Sequence, residues 1–137
     1  MANNSYQSMH SLSAAMLRII ELFIGGEATA STVNRMALRR ASTNSGTPTN
    51  QVPAALNYNS QAAVSQGSVA GTTGPIIAST QHLANLALNA FGGVVRWVAA
   101  PGEEIWAGLA AAPNSETILD SISGVGVVST DIKIEEI

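Results

Sequence analysis

Hydrophobic and polar positions alternate most cleanly at the end of the chain. Val128, Thr130, Ile132 and Ile134 fall on one side, and Ser129, Asp131, Lys133 and Glu135 on the other. A period of two places successive side chains on opposite faces of a strand. Residues 33–40 repeat the pattern: Val33, Arg35, Ala37 and Arg39 point one way, Met36 and Leu38 the other, with Asn34 and Arg40 at the ends. Residues 16–24 are ambiguous, because Leu12, Met16, Ile19, Ile20, Phe23 and Ile24 also fit a helical face. The run is short, rich in β-branched side chains, and stopped by Gly25-Gly26, so propensity and length favour a strand. Further strands are expected at 82–89, where Leu86 and Leu88 alternate with Ala87 and Asn89, and at 94–99, 103–107 and 116–120. Pro101-Gly102 forms a turn, and 41–50 a loop with its tip at Asn44-Ser45-Gly46.

Many short strands between turn signals predict an all-β sandwich or barrel. Two stretches fall outside the pattern. Residues 1–14 are polar with isolated Tyr6, Met9 and His10, and read as an N-terminal arm that orders on contact with something else. Residues 51–90 give a poor signal, and 62–79 are rich in Ser, Thr, Gly and Ala. The expected organisation is an arm (1–14) followed by a single domain (15–137), a length sufficient for one core.

Composition sharpens this picture. Of the 137 residues 46% are hydrophobic but only 11% are charged, against about 25% in an average soluble domain. The surface must therefore be largely neutral, which suits a protein packed against copies of itself or a partner. The net charge is −3; only Arg35, Arg39 and Arg40 cluster, a poor track for phosphates, so nucleic acid is not an expected partner. Residues 12–24 are too short, and with Arg18 and Glu21 too charged, to span a membrane, and they make a poor leader because no basic residue precedes them and no clean small-residue cleavage site follows. With no cysteine, disulfides and thiolate metal sites are excluded.

Catalytic constellations are missing. His10 and His82 stand far apart, neither in an H-x-H pair, and no G-x-S-x-G elbow or phosphate-cradling glycine loop exists. Glu103 and Glu104, adjacent on a strand, would face opposite sides and could not flank one bond. No catalytic residue, cofactor or metal is expected. Four residues remain as interface or ligand contacts: Trp97, Trp106, Arg35 and Arg39. A hairpin at the Ala100–Gly102 turn would bring the two indoles together; exposed, they would offer a platform for a sugar, and buried, they would anchor a core or subunit interface. Arg35 and Arg39 share a strand face, away from Arg40, and would meet Glu21 or Glu104 in adjacent strands.

Three elements carry a family likeness. They are residues 33–40 followed by a Thr/Gly-rich loop, Arg96-Trp97-Val98 leading into Pro101-Gly102-Glu103-Glu104-Ile105, and the final strand closing in Ile134-Glu135-Glu136. Together they resemble small phage and other viral structural proteins with jelly-roll-like sandwiches, which decorate capsids or serve as minor virion components. The likeness spans roughly residues 16–50 and 85–137. It implies a jelly-roll-like antiparallel β-sandwich, assembly as a homotrimer, binding to the major capsid protein, and a place in the virion. From a different class, a carbohydrate-binding or adhesive sandwich module with an exposed Trp97 or Trp106 is the alternative, with glycan as its ligand.

Overall fold

A computed structural model describes residues 5–11, 15–41, 49–56, 62–69, 77–108, 116–124 and 126–137. They form ten strands: β1 (Ser5–Ser11), β2 (Leu17–Glu27), β3 (Val33–Ala41), β4 (Thr49–Gln51), β5 (Ser65–Val69), β6 (Ile77–Asn89), β7 (Phe91–Val98), β8 (Ile105–Ala107), β9 (Glu116–Ser123) and β10 (Val128–Glu136). Six build one sheet in the order β4-β5-β1-β9-β3-β6. The other sheet runs β10-β2-β7, with β8 also paired to β2. Every pairing is antiparallel, and the two sheets pack face to face as a β-sandwich.

The core lies between them. Met9, Met36, Leu38, Leu88 and Leu119 from the six-stranded sheet meet Ile19, Leu22, Ile24 and Ile105 from the smaller one. In β10, Val128, Ile132 and Ile134 pack on this core, while Ser129, Asp131 and Glu135 are exposed. Strand β2 also explains the helix-like spacing of its sequence. Its register against β10 shifts between Glu21 and Ile19, so Ile20 is a bulge residue. Leu17, Ile19, Leu22 and Ile24 are all buried, and the three-residue step from Ile19 to Leu22 is the bulge, not a helical turn.

The structure differs from expectation at the N-terminus. Residues 5–11 are not an arm: β1 sits inside the larger sheet, hydrogen-bonded between β5 and β9. The strand reads as polar because its outward residues Ser8 and His10 are polar yet buried, Ser8 opposite Ile118 and His10 beside Glu116. The loop tip at Asn44–Gly46 lies outside the described residues.

Between β6 and β7 the chain passes from one sheet to the other within two residues. Asn89 holds this corner: its Oδ1 accepts from the Phe91 and Thr32 amides, and its Nδ2 donates to Ser31 Oγ at 2.8 Å. Close approach here demands glycine, since a Cβ on Gly26 would lie 2.3 Å from the Ala90 carbonyl oxygen. The corner puts the edges of β6 and β7 on the same flank of the sandwich.

Candidate functional site

The two tryptophans do not form a shared platform. Trp97 pairs with Leu22 and packs half-buried against the core. Trp106 pairs with Arg18 across the same strand, on the opposite face. Leu22 and Arg18 would share a face in a regular strand; the Ile20 bulge inverts the parity between them. Trp106 is 36% exposed, and the Arg18 guanidinium carbon lies 5.6 Å from its ring centroid. One face of the indole is thus occupied by a cation, which a stacking sugar would have to displace.

The outer face of the smaller sheet is a ladder of paired charges. Glu21 accepts from Arg96 Nε at 2.6 Å and from Lys133 Nζ at 2.9 Å, and these partners, Arg96 first, hold its pKa down at about 2. Arg18 bonds Glu135 and lies 3.7 Å from Glu104. Glu103 and Glu104 precede β8 in a turn and are not on a strand; the Glu103 amide closes the turn onto the Ala100 carbonyl. Glu104 accepts from the Gly102 amide, and its pKa is lowered by backbone donors, its own and that of Gly102. Burial pushes the Glu136 carboxyl up, but donors from Ser65 and Val64 outweigh it and keep it low. That contact ties β10 to the start of β5.

Arg35 and Arg39 do share the outward face of β3, but Glu21 and Glu104 are not their partners. Arg35 is exposed. Arg39 Nη1 donates to Asp120 Oδ2 at 2.8 Å, with side-chain exposures of only 15% and 3%. Beside it, His10 Nδ1 lies 3.5 Å from Glu116 Oε1. Register places the Arg39–Asp120 ion pair and the His10–Glu116 contact along β9, in one row with Ile118 between Glu116 and Asp120. Ile118, Ala37 and Ala41 in this patch are fully buried, so this part of the outer face is not the wet surface that alternation predicts. The pairs fasten β1 and β3 to β9, a structural duty. Arg40 points to the interior, donating to the Trp106 carbonyl and to Thr117 Oγ1; desolvation lowers its pKa. Among the described residues no group of His, Asp and Glu could hold a metal.

The feature that stands out geometrically is the flank formed by β6 and β7. Both are edge strands of their sheets. The core residues nearest this flank, Ala84, Leu86, Val95 and Trp97, are only half-buried. Around them Leu83, Phe91, Val94 and Val98 are exposed, Phe91 and Val94 by 60% and 62%. None of the thirteen residues of β6 is charged, and the only charge on β7, Arg96, is bonded to Glu21. The absence of Asp, Glu, Lys and Arg from residues 41–95 was visible in the sequence, and β6 is the edge strand that falls within it. The opposite flank is treated differently: β10 carries Asp131, Lys133 and Glu135, and residues 51–56 line a groove beside it. Comparison with known proteins finds no match, whether to a family model, a curated protein or a solved structure.

Proposed function

We propose that this chain is a non-catalytic virion structural protein, a capsid decoration or minor capsid component that associates with copies of itself and binds the capsid lattice. The observation that carries the reading is the uncharged β6–β7 flank, where core side chains stay half open. Natural proteins blunt exposed edge strands with charge, proline or a covering segment; an uncharged edge beside exposed Leu83, Phe91, Val94 and Val98 is matched to a partner surface. The viral family likeness supplies the setting, and the major capsid protein is the second partner. The mechanism is cohesion. Each copy contributes a modest contact, and an assembly that touches several lattice subunits at once holds far more tightly than one contact would.

The first test is the mass of the purified protein by light scattering on a sizing column. A homotrimer, three times the 14.1 kDa chain mass, is the expected result. A monomer at every concentration would leave the open flank without a partner and would overturn the proposal.

A further inference from the structure

We infer that the Glu136 carboxylate is an acid-released latch, closing the β10 flank of the sandwich at neutral pH and freeing the start of β5 when it takes up a proton. The inference stands apart from the self-association proposed above. Three donors converge on this one side chain. Glu136 Oε1 accepts from the Ser65 amide at 2.8 Å and from Ser65 Oγ, and Oε2 accepts from the Val64 amide at 3.1 Å. Glu136 ends β10 in the smaller sheet and Ser65 opens β5 in the larger one, so these bonds join the two sheets. They also form part of the wall of a groove of about 510 Å³, shared with Pro53, Leu56, Ala63 and Ile134.

Position gives the contact its leverage. Ser65 pairs with Ser11 at the end of the β1–β5 ladder, and outside β5 lies the three-residue β4. Residues 52–56 and 62–64 belong to no strand. Short ladders at a sheet margin are the parts of a fold that open locally. Among the described residues, the positions facing the latch from neighbouring strands are uncharged: Leu17 of β2 lies opposite Glu136, and Ser11 of β1 opposite Ser65. Arg18 bonds Glu135 on the outer face, with Glu104 beside it, and His10 faces Glu116 on the outward side of the larger sheet. Arg40, which reaches inward, is bonded to the Trp106 carbonyl and Thr117 Oγ1. Charge at the latch is therefore set by Glu136 itself. Its ionised form accepts from all three donors, whereas the neutral acid turns a proton of its own toward them. Burial raises the Glu136 pKa, but the Ser65 and Val64 donors bring it below the ordinary 4.5. The latch thus contributes fully above about pH 4.5 and is lost as pH falls through the lower folded-state value.

Amide resonances and hydrogen exchange followed by NMR test this. On acidification of the wild type, the Val64 and Ser65 amides are expected to titrate together. Protection of the Ser65 amide, corrected for intrinsic exchange, should fall about tenfold or more, since bonds to a charged acceptor are the stronger ones. The Leu38 and Leu119 amides, in the core strands, should keep their protection over the same range. Glu136→Gln is expected to show the weakened Ser65 protection already at neutral pH, with no acid step left at Val64 or Ser65. Glu135→Gln, on the outer face, should keep the latch. Wild-type protection at Ser65 in Glu136→Gln overturns the inference. So does a wild type in which Ser65 opens only in step with Leu38 and Leu119, because that is global unfolding. Should Glu136→Gln fail to fold, the wild-type titration decides alone.

Discussion

Replacing Arg39 by methionine is expected to cost the fold about 3–5 kcal/mol, the range for breaking a buried ion pair from one side. The guanidinium sits 2.8 Å from Asp120 Oδ2, and the Asp120 side chain is only 3% exposed. Asp120 Oδ1 already has no hydrogen-bond partner among the described residues, so loss of Arg39 leaves a buried carboxylate with nothing to offset its desolvation. Asp120 lies opposite Ala37 on β3 and Ser5 on β1, in the middle of the larger sheet, where the strands cannot open locally to let water in. The paired replacement Arg39→Met with Asp120→Leu removes the bare charge and is expected to recover most of the loss. Denaturant midpoints at neutral pH measure both. A single-variant loss below about 1 kcal/mol, the worth of an exposed pair, would mean that this patch is wet.

The second large effect is expected at Asn34, which is fully buried. Its Nδ2 donates to the Gly126 carbonyl at 2.8 Å and its Oδ1 accepts from the Gly126 amide at 3.1 Å. The side chain thus ties the segment just before β10 to β3, next to the bond from the Glu27 amide to the Val127 carbonyl. Space is tight around it: Gly124 has φ of +100°, and a Cβ there would lie 2.3 Å from Asn34 Oδ1. Asn34→Ala removes both of these buried hydrogen bonds, at about 0.5–1.5 kcal/mol each. Asn34→Asp preserves the acceptor but sets a carboxylate oxygen against the Gly126 carbonyl, and is expected to be no better. Thermal unfolding of the two variants checks this. If Asn34→Asp matched the wild type, the amide would not be bonding both groups.

Most of the sandwich was legible in the sequence where one face of a strand is dry and the other wet. β10 and β3 show this directly, since Ile132 and Ile134, or Met36 and Leu38, alternate with polar residues. β2 was legible as a strand but not in its parity, because a bulge leaves no local mark beyond an odd three-residue step. That one residue decides the candidate site, since it sends Trp97 inward and Trp106 outward. β1 was illegible for a different reason. Its outward face meets Glu116 and the neighbouring strands through polar contacts, so Ser8 and His10 look like loop residues while being buried. Arg39 was recognised as a contact residue with the wrong partner, since strand order, which sequence periodicity does not encode, brings β9 beside β3. Of the candidate contacts, Arg35 stays exposed opposite Ala87 of β6 and Trp106 stays partly exposed under Arg18.

Capsid binding is the claim on which the functional account turns, and cosedimentation with empty shells of the major capsid protein tests it most directly. The chain is expected to pellet with the shells and to saturate at a fixed number of copies per lattice unit. A chain that stays in the supernatant at concentrations where it is fully assembled would contradict the virion assignment.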